Sequence, residues 1–413
     1  MDNKTLLETL LQSEHENQVI DALESAGYSV DNDEIWVPLG QNAGNFSVVG
    51  NQQEDPAAAF VEKVVNSIDA VLLAECYRRN IDPESESAPI SMQDAVERFF
   101  NARGGRLDHL TPQEQTKLAD QIHVVASGEK TSPCYCIVDR GEGQTPDQFP
   151  DTFLSTSRSS PKIRIDFVQG KFNAGGSGSL QFCGDHNMQL IVSRRQPSAS
   201  VTPDKSAGLW GFTIVRRRRP RLGERGSVFV YLAPGGKVLR FGADALRVLP
   251  GKSSKNNPAR AYDQGLEYGT AVKLFNYRWG GARGLATLET RRQLERVLHT
   301  PCLPFRITET RDYRANYYAT TVVGVWNTLA QSQNVSEDSP KMEIGFPAAA
   351  NISLRDIGNL PIRIGVWKSE IKMRSVPTGV FFVVNGQVHA QFGSDFISRQ
   401  LLFDYIRDYI LVS

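Results

Sequence analysis

The segment 61–74, VEKVVNSIDAVLLA, carries charge within a pattern that otherwise predicts a buried helix. Most of its residues are apolar, and a helix that is apolar nearly all round lies in a protein core. Glu62, Asn66 and Asp69 nevertheless stand at positions i, i+4 and i+7, so they share one face of that helix. Because unpaired buried charge is costly, we expect a polar partner to lie against this face.

Composition narrows the class of protein. A chain of 413 residues with 40% hydrophobic and 22% charged residues predicts a globular protein of two domains. The formal net charge is zero, so no overall field attracts nucleic acid or an anionic membrane. No apolar run approaches the ~18 residues of a membrane span, and the acidic N-terminus is unlike a secretory signal. Five cysteines without a CxxC pair predict buried thiols in a reducing, cytoplasmic protein.

The chain divides into three predicted parts. Residues 1–55 hold an amphipathic helix at 4–26 and a strap, and 56–280 form the first domain, with a helical insertion at about 78–130. Strand patterns at 188–195, 209–219, 227–233, 237–241 and 270–277 make that domain α+β. Residues 285–413 form a smaller α/β unit with a hairpin, a helix at 395–408 and a terminal strand. Since the chain stops on an apolar strand, we expect a longer natural protein.

Three further motifs follow the polar helix. A strand ends at Asp139-x-Gly141-x-Gly143, a glycine-rich run contains Gly175, Gly176 and Gly178, and Gly269-Thr270 opens a later strand. Each motif alone is typical of an ordinary turn or loop. Their joint order is more specific than any one of them.

In this order and spacing, the motifs resemble those of the GHKL ATPase superfamily, which includes gyrase, the heat-shock chaperone ATPases, histidine kinases and MutL. The resemblance covers about 56–277. It implies a Bergerat-type α/β sandwich that binds ATP and Mg²⁺. It also implies that the segment 144–178 is a lid over the nucleotide.

The resemblance implies a role for each motif residue. Asp139 accepts a hydrogen bond from the adenine amino group, Thr270 lies beside it, and Gly141 and Gly143 let the backbone approach the base. Asn66 is the implied magnesium ligand, and Asp69 supports the pocket. Phosphate contacts are implied for the lid residues, namely Lys171, Gly175, Gly176 and Gly178.

Glu62 decides the type of reaction that we expect. In ATP-hydrolysing members this position is the general base that activates water, so the resemblance favours hydrolysis over phosphotransfer to a histidine. His15 has no convincing kinase context. Two alternatives stay open: an ATP-binding regulator or scaffold with negligible turnover, and a phosphotransferase of the histidine-kinase type.

The second unit and the expected partners complete the interpretation. The segment after residue 379 is similar to the transducer domain of MutL, gyrase and the MORC-type ATPases, which implies a lysine at the γ-phosphate: Lys368, Lys372 or one beyond Ser413. The resemblance also implies an ATP-dependent homodimer that contacts through the N-terminal helix. Arg216, Arg217, Arg218 and Arg219 indicate either a solvated hairpin tip or a nucleic-acid contact. Fold analogy favours a role in nucleic-acid handling or phage defence, with a partner protein or a C-terminal effector domain.

Overall fold

The computed structural model describes residues 1–156, 161–170, 175–199, 204–224, 226–253, 258–280, 284–313, 318–329, 341–356, 358–371, 376–402 and 404–413. Within these ranges the chain is a mixed α+β protein with several sheets. None of its described helices is both long enough and apolar enough to cross a membrane.

The described residues form a ten-stranded main sheet whose strands come from most of the chain. Its order is β1-β6-β5-β4-β10-β3-β2-β11-β12, and β7 pairs with β5 outside this path. These strands are β1 (Trp36–Pro38), β2 (Ile122–Gly128), β3 (Pro133–Asp139), β4 (Gln189–Arg194), β5 (Trp210–Arg218), β6 (Val228–Leu232), β7 (Leu239–Phe241), β10 (Gly269–Leu274), β11 (Phe305–Glu309) and β12 (Ala319–Val322). Two short strands, β8 (Leu246–Leu249) and β9 (Gln264–Leu266), form a separate ribbon.

Helices cover the main sheet. They are α1 (Asn3–Gln12), α2 (Glu16–Ser25), α3 (Asn45–Gly50), α4 (Pro56–Arg78), α5 (Met92–Phe100), α6 (Pro112–Ala119) and α7 (Arg291–Val297). Along β2, Val124 and Ala126 join the core under α4, α5 and α7, whereas Val125 joins the core under α1 and α2. Successive side chains of a strand point to opposite faces, so this alternation shows a sheet buried on both sides.

A second, five-stranded sheet lies in the last third of the chain. Its order is β13-β14-β17-β15-β16, formed by β13 (Ala348–Leu354), β14 (Gly358–Val366), β15 (Gly379–Val384), β16 (Gln387–Phe392) and β17 (Ile410–Val412). Helix α8 (Ser394–Leu401) follows the β15–β16 hairpin. The predicted hairpin, helix and strand pattern is therefore confirmed, although the helix ends at Leu401 rather than at 408.

Two helix predictions were wrong in extent. The predicted helix at 4–26 is broken after Gln12, where the buried Lys273 ammonium donates hydrogen bonds to the carbonyls of Leu11 and Ser13. The predicted helical insertion at about 78–130 ends earlier, because 122–128 is strand β2 in the middle of the sheet. A short apolar run such as HVVA fits either a helix or a strand, and here pairing with β3 and β11 decides it.

The predicted division at 280–285 stays a prediction, and the main sheet runs past it. Strand β11 pairs with β2 in parallel, and β12 pairs with β11. All five cysteines are buried and free, as the absence of a CxxC pair indicated.

Helix α4 positions the polar stripe. The Asp55 carboxylate caps its first turn by accepting a hydrogen bond from the Ala57 amide at 2.8 Å. Phe60 then packs against the rings of Tyr135 and Tyr277, with centroids 5.4 and 5.5 Å away, which fixes this end of the helix to the sheet. The whole helix is therefore held in one register against β3.

A tight turn joins the second sheet to the first unit. The Gly386 carbonyl, between β15 and β16, accepts hydrogen bonds from the amides of His299 and Thr300 at 2.8 and 3.2 Å. Gly386 has a φ of +85°, and a Cβ at this position would overlap the Thr300 carbonyl oxygen. The junction therefore requires glycine for two separate reasons.

We expect Gly386→Ala to lower the apparent unfolding midpoint more than Gly345→Ala does. Gly345 has a similar φ of +89° but open space around it, so its alanine variant carries the backbone strain alone. The overlap at Gly386 should add about 1–3 kcal/mol. Differential scanning calorimetry of both variants measures this, and equal midpoints would contradict the described junction.

Candidate functional site

A cavity of about 660 Å³ opens between α4 and the main sheet. This volume lies within the ~300–1,000 Å³ of small-molecule sites. Six of the residues singled out from the sequence line it: Glu62, Asn66, Asp139, Gly143, Gly176 and Thr270. Asp69, Gly141, Gly175 and Gly178 are not among its lining residues, and Lys171 lies outside the described residues.

Asp139 forms one end of the cavity and is almost completely buried. Its Oδ2 accepts a hydrogen bond from the Ser67 hydroxyl at 3.0 Å, and its Oδ1 accepts one from the Gly141 amide at 3.0 Å. Burial raises the pKa of this carboxyl to about 7, against the opposing effect of these hydrogen bonds. The result is a fixed acceptor surrounded by the apolar side chains of Ile191 and Val272.

Thr270 lies directly beside Asp139 because the two residues are paired in the β10–β3 ladder. Its hydroxyl is 3.0 Å from that of Ser193, which also accepts a hydrogen bond from the Gln144 amide at 2.9 Å. The hydroxyl pair links β4 and β10 to the loop after β3. The cavity therefore has a rigid floor of strand ends.

The glycines after Asp139 make room for protein atoms. A Cβ on Gly141 would lie 2.5 Å from the Ala70 Cβ, and one on Gly143 would overlap the Arg194 carbonyl. The Glu142 amide between them donates to the Ala70 carbonyl at 2.9 Å. These glycines thus allow α4 and β4 to approach the loop closely, whereas the sequence prediction assigned them to contact with a base.

The other end of the cavity holds Glu62 and Asn66. Glu62 Oε1 accepts a hydrogen bond from Gln387 Nε2 of the second sheet at 2.8 Å. Asn66 lies beside residues 170 and 176 of the predicted lid, because Cβ atoms on Gly170 and Gly176 would fall 2.7 Å from its Oδ1 and 3.8 Å from its Nδ2. Within the described residues the Asn66 side chain has no hydrogen-bond partner, so its amide remains available to a ligand.

Asp69 holds the backbone of residues 169–170 within the predicted lid. Its carboxylate accepts hydrogen bonds from the amides of Gln169 at 3.1 Å and Gly170 at 2.7 Å. Burial raises the pKa of Asp69 to about 6. Its side chain therefore holds the backbone of residues 169–170, which line the cavity, and its predicted support of a nucleotide pocket stays a prediction.

Several lining residues escaped the sequence prediction. Lys63 is 8% exposed and lines the cavity beside Asn66, and burial lowers its pKa to about 8. His389 reaches the cavity from β16, two residues after Gln387 in the same strand. The spacing of Lys63 and Asn66, i and i+3, was the available signal for the lysine. Nothing local in the sequence indicates the second-sheet residues.

The lysines expected in the second unit are not the residues that the structure shows at the cavity. Lys368 is not among the residues that line the cavity; its backbone amide donates to the Lys341 carbonyl at 3.0 Å. Lys372 lies outside the described residues. In the part of the second unit that the structure describes, Gln387 and His389 approach the polar stripe.

The arginine run does not form a hairpin tip. Arg216, Arg217 and Arg218 lie in β5, where Arg216 is buried over the Trp36 ring and Arg217 donates to the Asp185 carbonyl. Arg218 forms a two-point ion pair with Glu224. Arg219 alone of the four is exposed, so most of the predicted basic patch serves contacts within the chain.

Comparisons with known proteins assign no function to the site. No protein-family model matches the chain, and no curated protein matches it.

We expect Asp139→Asn to stabilise the ligand-free protein above pH 7. Because the folded-state pKa of about 7 exceeds the ordinary 3.8, the folded protein retains a proton that the unfolded chain loses between these values. The contribution of Asp139 to wild-type stability therefore falls as pH rises through this window, and its cost reaches on the order of a few kcal/mol above it.

Thermal unfolding at pH 5 and pH 8 tests this expectation. The midpoint difference between Asp139→Asn and wild type should grow with pH, whereas Asp21→Asn, at an exposed helical position, should follow wild type. A constant difference would show that the Asp139 carboxyl ionises normally.

Proposed function

We propose that this protein is a magnesium-dependent ATPase of the GHKL type, built on a Bergerat-type sandwich and acting as a conformational switch. The observation that carries the proposal is the cavity itself. It gathers Glu62 and Asn66 from α4, Asp139 from β3, Gly176 from the lid and Thr270 from β10. These residues come from four distant segments, and each has the chemistry that its motif implied.

The Asp139 end suits a nucleobase. A buried carboxylate accepts hydrogen bonds, so it would select a ring that carries an amino group, as adenine does. The flat space beside it is bounded by Ile191, Val272 and Leu73, which offer apolar contact to a base. A carbonyl in place of the amino group would face the same carboxylate unfavourably, which favours adenine over guanine.

The opposite end suits phosphates. Glu62 and Ala70, both lining residues of α4, are about 12 Å apart at 1.5 Å rise per residue, so the cavity has separate ends. Gly170 and Gly176 carry no Cβ that would fill the space beside the Asn66 amide, and an amide oxygen is a suitable magnesium ligand when phosphate and water complete the set. Bound magnesium would neutralise charge on the phosphates. Among the described residues no group of three or more His, Cys, Asp or Glu side chains could hold a metal by itself.

Glu62 is the proposed general base. Gln387 donates to its Oε1, and within the described ranges no group donates to Oε2, which would accept a proton from water. As that water oxygen bonds to the terminal phosphorus, the bond to the bridging oxygen breaks, and ADP and phosphate result. The contact with Gln387 also links this chemistry to the second sheet.

The junction provides the switch element of the proposal. Gln169, within the predicted lid, donates to the Val384 carbonyl at 3.2 Å, so the lid and the hairpin of the second sheet touch each other. A ligand that moves the lid or Glu62 would therefore displace the second unit. ATP-dependent homodimerisation, a protein partner and action on nucleic acid stay predictions. Helix α1 buries its leucines within its own chain, and three of the four arginines make contacts within the chain.

We expect Asp139→Asn to weaken ATP binding about 10- to 100-fold, since a hydrogen bond to a charged acceptor is lost. Glu62→Gln should bind ATP like wild type but hydrolyse it about 100-fold more slowly or worse. Isothermal titration and single-turnover hydrolysis measure the two effects.

The control is Glu54→Gln, at an exposed position before α4, which should match wild type in both assays. Unchanged binding in Asp139→Asn would refute the adenine assignment. Equal turnover in Glu62→Gln and wild type would refute the general base.

The regulatory alternative, binding with negligible turnover, is favoured by one observation. Gln387 already holds the carboxylate on which hydrolysis would depend. We expect Gln387→Leu to lower the hydrolysis rate about tenfold without changing ATP affinity, because Glu62 loses its positioning partner. A faster rate would mean that the second sheet inhibits Glu62, and the regulatory alternative would then stand.

A further inference from the structure

Lys63 is a buried cation to which the described part of the chain offers no hydrogen-bond or ion-pair partner. Its side chain is 8% exposed and lines the cavity. Within the described residues its ammonium makes no hydrogen bond or ion pair, although the neighbouring Glu62 charge favours its protonated form. A buried charge without such a partner lowers the stability of the fold, which favours a functional role for the lysine.

Lys273 shows what a structural buried lysine looks like in the same chain. It is 1% exposed, and its ammonium donates to the carbonyls of Leu11 and Ser13, the latter at 2.6 Å. These contacts hold the end of α1. Among the residues that the structure describes, no such carbonyl accepts a hydrogen bond from Lys63, which separates the two lysines chemically despite their similar burial.

The surroundings of Lys63 are those of an anion site. A Cβ on Gly176 would lie 4.0 Å from Lys63 Nζ and 3.8 Å from Asn66 Nδ2, so the two donors face the same point. That point is the start of the 3₁₀-helix Gly175–Phe182. The first N–H groups of a helix lack partners within it and favour anions.

We propose that Lys63 binds the terminal phosphates of the ligand, together with Asn66 and the start of the Gly175–Phe182 helix. The assignment of these phosphates to ATP rests on the proposed function, whereas the anion site itself does not. A compact ammonium is a strong phosphate donor, and the cavity wall keeps it away from water. Lys63 thus supplies from α4 the cation that the sequence had assigned to the lid.

The experiment measures three ligands with Lys63→Met: ATP, adenosine and inorganic triphosphate, by isothermal titration in the presence of EDTA. We expect about 10- to 100-fold weaker binding of ATP and triphosphate. Adenosine binding should stay within twofold of wild type. Lys63→Arg should restore part of the lost affinity, and Lys117→Met, at an exposed position, should match wild type.

Each outcome separates the anion site from the nucleotide. If ATP binds Lys63→Met and wild type equally, the Lys63 proposal fails and the proposed function stands. A second outcome is that triphosphate binds through Lys63, adenosine does not bind, and ATP binds no more tightly than triphosphate. The anion site then stands and the proposed function fails. If wild type binds none of the three ligands, both fail.

Thermal unfolding guards against a purely structural role. Lys63→Met should unfold at the wild-type midpoint or above it, since a buried charge is removed, whereas Lys273→Met should unfold below it. A loss of stability in Lys63→Met similar to that in Lys273→Met would overturn the proposal.

Discussion

The close approach of helix α4 to the loop after strand β3 is the contact on which the site depends. The Ser67 hydroxyl binds Asp139, the Glu142 amide binds the Ala70 carbonyl, and Gly141 leaves room for both elements to meet. With this contact in place, one face of a core helix lines a cavity instead of packing against apolar side chains. A bulkier residue at Gly141 would separate the helix from the loop and open the cavity at the end that Asp139 forms.

The polar stripe is then divided between two tasks. Asp69 turns its carboxylate toward the backbone of 169–170 and becomes part of the wall. Glu62, Lys63 and Asn66 remain directed into the cavity, where the described residues satisfy Glu62 alone. The unsatisfied donors explain why this region should be less stable than an apolar core, and functional sites commonly carry such a cost.

Local sequence pattern predicted the elements better than it predicted the contacts between them. The stripe, the strand that ends at Asp139 and most strands of the main sheet follow from periodicity and turn residues. The break near Ser13 does not, because it depends on Lys273, which lies far along the chain. The contact between Gly141 and helix α4 does not follow from the sequence for a similar reason: its neighbour is Ala70, which only the folded chain brings close. The position of Lys63 beside Glu62 in the sequence does not indicate a site residue. Its alignment with Asn66 indicates a shared ligand only once Gly176 lies close to both side chains.

A crystal structure with magnesium and a non-hydrolysable ATP analogue tests the central claim most directly. The account predicts the adenine amino group within hydrogen-bond distance of Asp139. It also predicts the triphosphate between Asn66, Lys63 and the start of the Gly175–Phe182 helix. A nucleotide bound elsewhere on the chain, or bound in this cavity with its phosphates at Asp139, would contradict it.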